Sequence, residues 1–253
     1  MHGSTRPDPQ LGVFETLLVV DGRPLELDAH VERLAASLAA LFASAPPIDA
    51  RQLLLDRAGP LHLARLRLTV VPLEVELLGT ELAAEELDRA LLFPSPDRSP
   101  GLRSLVVEGG LGAHKWADRR LLEGAARKAG GAVPLILDTD GAVLEASRAN
   151  VFAVRDGILL TPPADGRIVA GIARLRLLEL AVEAGFDARE ESLSLGDLRA
   201  ADEVFLTGSV RGVEPVGSLD GVVATGASRD VSARLGAALR DSWLGQRQAL
   251  NLT

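Results

Sequence analysis

The chain has 253 residues, a formal net charge of −8 and a pI near 5.1, which excludes nucleic-acid binding driven by bulk positive charge. It contains no cysteine, so disulfides and thiolate metal sites are excluded, and no metal ligands are assigned; with 3% aromatic residues and no tyrosine, the core must be built from Leu, Val and Ala. An apolar content of 47% suffices for one large domain or two smaller ones, and no apolar run approaches the roughly 20 residues of a membrane span.

Residues 1–10 are polar and Pro-rich and read as a flexible tail without a signal-peptide core, which predicts a soluble, cytoplasmic protein. Val13–Val20 reads as a strand, Asp21-Gly22 as a hairpin turn and Arg23–Leu27 as a short return strand. Asp28 can cap a helix running to about Phe42, with Val31, Leu34, Leu38 and Leu41 on one face and Arg33 beside that stripe. A second helix is predicted from Ile48 to Ala58. Leu61–Val71 is a β-rich run with Arg65 and Arg67 on one alternating face. Leu73–Leu78 extends that sheet, and Leu87–Leu92 offers a further strand. Pro94–Gly101 is turn-rich and serves as the linker.

Beyond it, the pattern predicts a helix over Trp116–Ala129 and strands over Val133–Asp138, Val143–Glu145, Asn150–Val154 and Ile158–Leu160. A helix follows over Gly171–Ala184. Ser194 with Asp197 marks a capped short helix, Val204–Thr207 is a strand opening onto Gly208-Ser209, and a last helix covers Arg229–Leu244. Strands and helices are mixed rather than strictly alternating, so the fold class is α/β of the α+β type, not a doubly wound sheet.

Lysine is scarce. Only Lys115 and Lys128 occur, and the other 25 of the 27 basic residues are arginine. Arginine stays charged, whereas lysine can lose its proton and attack a carbonyl. Lys128 lies near a predicted helix end, where a cation suits the dipole. Lys115 lies at a predicted helix start, where a cation is unfavourable, so it is either a solvated surface residue or a residue kept for its chemistry. Three other features stand at turns or element ends: Glu145 with Asn150, Gly171-Ile172-Ala173, and Thr207-Gly208-Ser209. A helix start and a Gly-Ser turn can hold a phosphate. A glutamate can keep a ring nitrogen protonated, and a lysine can form an imine. Together these are the parts that pyridoxal 5′-phosphate (PLP) requires. Singly, each is an ordinary surface or turn residue.

In this order the segments resemble the class IV aminotransferases, the PLP enzymes of fold type IV. The matching pieces are Val13-Phe14-Glu15-Thr16, His30-Val31-Glu32-Arg33-Leu34, His114-Lys115 with Asp118-Arg119, Leu144-Glu145 through Asn150-Val151-Phe152, Leu160-Thr161-Pro162-Pro163, Gly171-Ile172-Ala173-Arg174 and Thr207-Gly208-Ser209. The resemblance implies two α/β domains with the cofactor at their interface. It places a small domain over residues 11–101, a connector over 102–111 and a large PLP-binding domain over 112–253, usually in a homodimer. It implies that Lys115 is the Schiff-base lysine and that Glu145 pairs with the pyridinium nitrogen. Arg33 would hold the phosphate with Ile172, Ala173 and Ser209, and Asn150 would complete the cofactor site.

The resemblance is nearest to 4-amino-4-deoxychorismate lyase, which forms 4-aminobenzoate and pyruvate in folate biosynthesis. Thr16 stands where that lyase carries a threonine, and Asp118-Arg119 is close to its Asn-Arg. Thr16, Arg65, Arg67, Arg119, Arg148 and Arg211 are the candidate substrate residues for a small amine with two carboxylates. Transamination of branched-chain or D-amino acids is the alternative; against the branched-chain version, Leu18 stands where branched-chain enzymes and some lyases carry Arg. A non-catalytic relic is a second alternative: only ten residues precede Leu11, Ala173 replaces a threonine, and Thr69–Pro72 runs straight on where the family has a Gly/Arg-rich loop.

Overall fold

The computed structural model describes residues 6–43, 49–71, 74–82, 99–223 and 229–249. The chain divides into two compact units. The N-terminal unit takes the described residues of 6–88, with 114–119 and the helix end from 241; the C-terminal unit takes those of 89–113 and 120–240.

In the N-terminal unit, β1 (Val13–Val20), β2 (Arg23–Pro24), β3 (Leu63–Val71) and β4 (Glu74–Glu81) form an antiparallel sheet in the order β2-β1-β3-β4. The alternation of β1 and β3 sends Val13, Leu17, Val19, Ala64, Leu66, Leu68 and Val70 into one apolar cluster. Leu34 and Leu38 of α1 (Leu27–Phe42) and Leu54 of α2 (Ala50–Ala58) complete it. β2 is shorter than expected, ending at Pro24, which has no N–H for the ladder. α1 starts after Glu26, a residue in the left-handed conformation without a side-chain cap, so Asp28 lies in the first turn instead of capping it. Asp49 caps α2 by accepting the Gln52 N–H.

The segment around Lys115 departs from the expected helix. Phe14 N–H donates to the Lys115 carbonyl (2.8 Å), Ala117 N–H donates to the Gly12 carbonyl (2.9 Å), and Val13 and Trp116 form an antiparallel bridge. These backbone groups extend the start of β1 and are lost to a helix, which begins only at Arg120 as α3 (Arg120–Lys128). Lys115 therefore does not stand at a helix start.

The strands of the C-terminal unit are β5 (Gly101–Val106), β6 (Val133–Leu137), β7 (Ala142–Ala146), β8 (Asn150–Arg155), β9 (Ile158–Thr161), β10 (Ala188–Glu190), β11 (Leu193–Ser194), β12 (Glu203–Gly208), β13 (Gly212–Pro215), β14 (Ser218–Leu219) and β15 (Val222–Val223). They form a six-stranded sheet, β11-β7-β6-β5-β14-β15, and a five-stranded sheet, β10-β9-β8-β12-β13. Among the described strands, only β5–β6, β5–β14 and β9–β10 pair in parallel, so the sheets are mixed, as the unalternating element order implies. Leu135, Leu137 and Val143 from one sheet pack with Val151, Ala153 and Leu206 from the other. Leu122 of α3 covers the opposite face of the six-stranded sheet, with Ile136, Leu144 and Ile168. Helix α4 (Ile172–Glu183) packs on β10 and β12. Helix α5 (Leu195–Ala200) has the reciprocal Ser194–Asp197 capping box, and α6 (Asp230–Ala249) closes the chain.

Residues 102–106, expected in a connector, belong to β5 inside the six-stranded sheet. The expected strand Leu87–Leu92 and most of the expected linker lie outside the described residues. Among the described residues, no helix is long and apolar enough to cross a membrane.

Candidate active site

In the N-terminal unit, two ionisable side chains of α1 converge on Glu15. This carboxylate, 2% exposed, points from β1 toward α1. Arg33 donates to it twice, from Nε at 2.8 Å and from Nη2 at 2.6 Å, and His30 Nδ1 lies 2.7 Å away. Burial alone pushes the Glu15 carboxyl up, but the Arg33 charge and the His30 and Arg33 hydrogen bonds outweigh it and hold the group at about 2. His30 is fully buried, and burial pushes its pKa down; Glu15 works against that, and the charges of Arg33 and Lys115 add to it. His30 is therefore neutral, with its Nδ1–H on Glu15 and a buried Nε2 that has no hydrogen-bond partner. Lys115 is half-buried, its main chain is fixed by β1, and its Nζ lies 5.2 Å from the Phe14 ring centroid.

The other face of this sheet carries the substrate candidates Thr16, Arg65 and Arg67. Thr16 pairs with Arg67 and Leu18 with Arg65 across β1 and β3, while the Arg67 guanidinium stands 3.8 Å over the Phe14 ring. Arg33 reaches Glu15 on the helix-covered face, so the sheet separates it from Arg65 and Arg67. Arg65 is exposed, and Arg67 and Arg119 are half-buried.

The C-terminal unit builds a cradle from Glu145, Asn150 and the start of α4. Val169 is held on both of its peptide groups: its N–H donates to Glu145 Oε2 (3.3 Å), and its carbonyl accepts from Asn150 Nδ2 (2.9 Å). A β-bulge aims Glu145. Ile136 pairs with Glu145, but Leu137 pairs with Val143, so Leu144 is the extra residue. In a regular strand Glu145 would share the face of Val143, inside the apolar cluster between the two sheets; the bulge turns it to the side of Ile136 and Ile168 instead.

Gly171 stands directly before α4, with no side-chain cap, so the N–H groups of Ile172 and Ala173 open the helix as donors. A Cβ at Gly171 would meet Asn150 Oδ1 at 1.9 Å. Asn150 is in register with Thr207, whose hydroxyl is buried with no hydrogen-bond partner. Ser209 follows in the turn after β12. A glycine-only cradle, uncapped helix N–H groups, an orphaned hydroxyl and a neighbouring serine are a donor set for a phosphate, and a buried carboxylate nearby suits a protonated ring nitrogen. The residues present thus fit a phosphorylated pyridine cofactor.

The remaining two candidates lie in the same unit. Arg148, in the turn between β7 and β8, donates to both oxygens of Glu214 (2.5 and 3.2 Å), and Arg211 donates to Glu214 Oε1 (3.2 Å). The roles of Glu15, Thr207 and Glu214 were not assigned from sequence. Glu15 and Thr207 lie within the family-like segments Val13–Thr16 and Thr207–Ser209, but their partners, or lack of them, depend on register and burial. Glu214 carries no signal in sequence at all.

A family model described as amino-transferase class IV matches residues 12–72 and 112–219. The chain is 30% identical over 171 residues to a branched-chain-amino-acid aminotransferase of Salmonella typhimurium, covering 67% of this chain; the match spans 55% of that enzyme's length. It is 30% identical over 229 residues to a candidate branched-chain-amino-acid aminotransferase of Methanocaldococcus jannaschii, covering 84% of this chain and 80% of the relative. Among solved structures, a candidate 4-amino-4-deoxychorismate lyase of Legionella pneumophila superposes with a TM-score of 0.77 at 24% identity, covering 94% of this chain and 91% of the other. A hypothetical aminotransferase from Mycobacterium tuberculosis, in a PLP-bound form, gives 0.76 at 20% identity, covering 98% and 96%.

Proposed function

The chain belongs to the class IV amino-transferase family, and from that premise we propose that it is a PLP enzyme that converts 4-amino-4-deoxychorismate to 4-aminobenzoate and pyruvate. The observation that carries the cofactor assignment is the cradle at Gly171, where any side chain would strike Asn150 and where α4 opens without a cap. When bound, PLP withdraws electrons from the bonds of the amine-bearing carbon. Lys115 is the residue that attaches the cofactor and moves the proton at that carbon. Its amine must shed a proton to do so.

Glu145 holds the proton on the cofactor's ring nitrogen, and the Val169 N–H keeps its carboxylate oriented. Ile172 and Ala173 N–H groups and Ser209 would hold the phosphate, a role that the resemblance also gives to Arg33. Glu15 is the positioning residue for Arg33, since two charge-assisted hydrogen bonds fix the guanidinium plane. Thr16, beside Arg67 across β1 and β3, supports elimination, and Leu18 speaks against the branched-chain version of transamination. The second reading, transamination, is supported by the names of the curated relatives in both bacteria and archaea. Aminodeoxychorismate assayed beside a panel of L- and D-amino acids tests the choice. Release of 4-aminobenzoate and pyruvate is the expected result. Conversion of the cofactor to its amine form by amino acids alone, with no aminobenzoate formed, would select transamination.

A further inference from the structure

Five arginines were candidates for a substrate carboxylate, and two of them differ from the rest. Arg148 and Arg211 come from different turns and converge on one carboxylate, Glu214, which is 7% exposed. The convergence is built into the fold. Ala146 and Ala149 exchange backbone hydrogen bonds that close the turn carrying Arg148. The β8–β12 register sets Asn150 beside Thr207, and the β12–β13 register sets Gly208 beside Gly212, so the turn bearing Arg211 lies against the first turn. A Cβ on Gly208 would stand 3.7 Å from the Arg148 carbonyl.

Two guanidiniums and one carboxylate leave one net positive charge. Glu214 spends its own charge inside the cluster, with 9% of its side chain exposed, while the arginine side chains keep 30% and 60% of theirs open. Arg211 gives Glu214 only Nη1. A carboxylate held between two guanidiniums suppresses their repulsion and orders two long side chains before any ligand arrives, which lowers the entropy that binding must overcome.

The cluster is also close in chain to the proposed cofactor residues. Arg211 lies two residues past Ser209 and Arg148 two before Asn150, so each Cα is within about 7 Å of its neighbour's. We infer that Arg148 and Arg211, positioned by Glu214, receive a second carboxylate of the substrate, so that the enzyme acts on amines bearing two carboxylates. This rests on the PLP assignment above. It separates these two arginines from Arg65, which is exposed, and from Arg67, which is stacked on Phe14.

Titration of the holoenzyme, followed in the initial change of its visible absorption on mixing, tests the inference. The probes are aminodeoxychorismate and L- and D-glutamate, with two carboxylates, against L- and D-norvaline, with one. At least one dicarboxylate should bind the wild type ten-fold or more tighter than norvaline. Arg148→Gln and Arg211→Gln should each reduce that advantage to about two-fold, and Glu214→Gln should fall between. Arg211 is the more exposed, so its variant remains informative if Arg148→Gln fails to fold. No dicarboxylate advantage in the wild type, or an advantage kept in both arginine variants, overturns the inference. A wild type with no visible cofactor band overturns the PLP assignment instead, so the two failures are distinguishable.

Discussion

A methyl group added at Gly171 would lie 1.9 Å from Asn150 Oδ1. Gly171→Ala must therefore push Asn150 aside and break its bond to the Val169 carbonyl, at a cost of about 1–3 kcal/mol typical of overpacking. The expected outcome is a modest fall in melting temperature with a much larger loss of PLP affinity, measured by equilibrium titration; unchanged affinity would remove Gly171 from the site. Glu15 and His30 make a pH prediction of opposite chemistry and the same sign. The Glu15 carboxyl stands at about 2 against an ordinary 4.5, so its contribution is full above 4.5 and is lost as pH falls toward 2. His30 is pushed below its ordinary 6.5, so as pH drops beneath 6.5 the unfolded chain takes up a proton that the folded chain refuses. Stability should decline from pH 7 to pH 5, and His30→Asn, which can keep a donor toward Glu15, should flatten that decline in thermal unfolding. Glu15→Gln leaves Arg33 without its buried counter-charge and should cost about 3–5 kcal/mol. Lys115 and Glu145 were legible as residue types at suggestive places. The Arg33–Glu15–His30 contacts were not, because they join β1 to α1 across a packing interface that sequence spacing does not encode.

At the level of elements, strands were read well where alternation is strong. β1, β3, β8 and β12 each fall within two residues of expectation, because their apolar faces meet a cluster that fixes register. The helix predicted from Trp116 failed for a tertiary reason: the backbone of 115–117 completes the edge of β1. The bulge that turns Glu145 was equally invisible, since Leu144 and Glu145 look like ordinary strand residues until β6 supplies the pairing. Helix α6 makes an element-scale prediction. Both Glu203 oxygens accept from its first turn, Val231 N–H and Ser232 N–H, each at 2.9 Å. Glu203→Ala should cost about 1–2 kcal/mol as a lost cap, read as a lower midpoint in urea with an unchanged m-value. No change in midpoint would mean that α6 does not depend on this cap.

For the whole molecule, the mixed order of strands and helices correctly excluded a doubly wound sheet, but neighbour relations were beyond reach. β14 lies beside β5, more than a hundred residues earlier, and β12 beside β8, pairings fixed by burial between sheets and not by local sequence. The proposed cofactor residues are divided in the chain as well: Arg33 and Lys115 belong to the N-terminal unit, and Glu145, Gly171 and Ser209 to the C-terminal unit. The lysine shortage that first singled out Lys115 makes the central claim easy to test, because Lys128, in the last turn of α3, is the other lysine in the chain. The purified protein should be incubated with PLP, dialysed, and its visible absorption recorded for the wild type, Lys115→Ala and Lys128→Ala. Retained yellow absorption in the wild type and in Lys128→Ala, with none in Lys115→Ala, is the predicted result. A colourless wild type, or a Lys115→Ala protein that keeps the band, would contradict it.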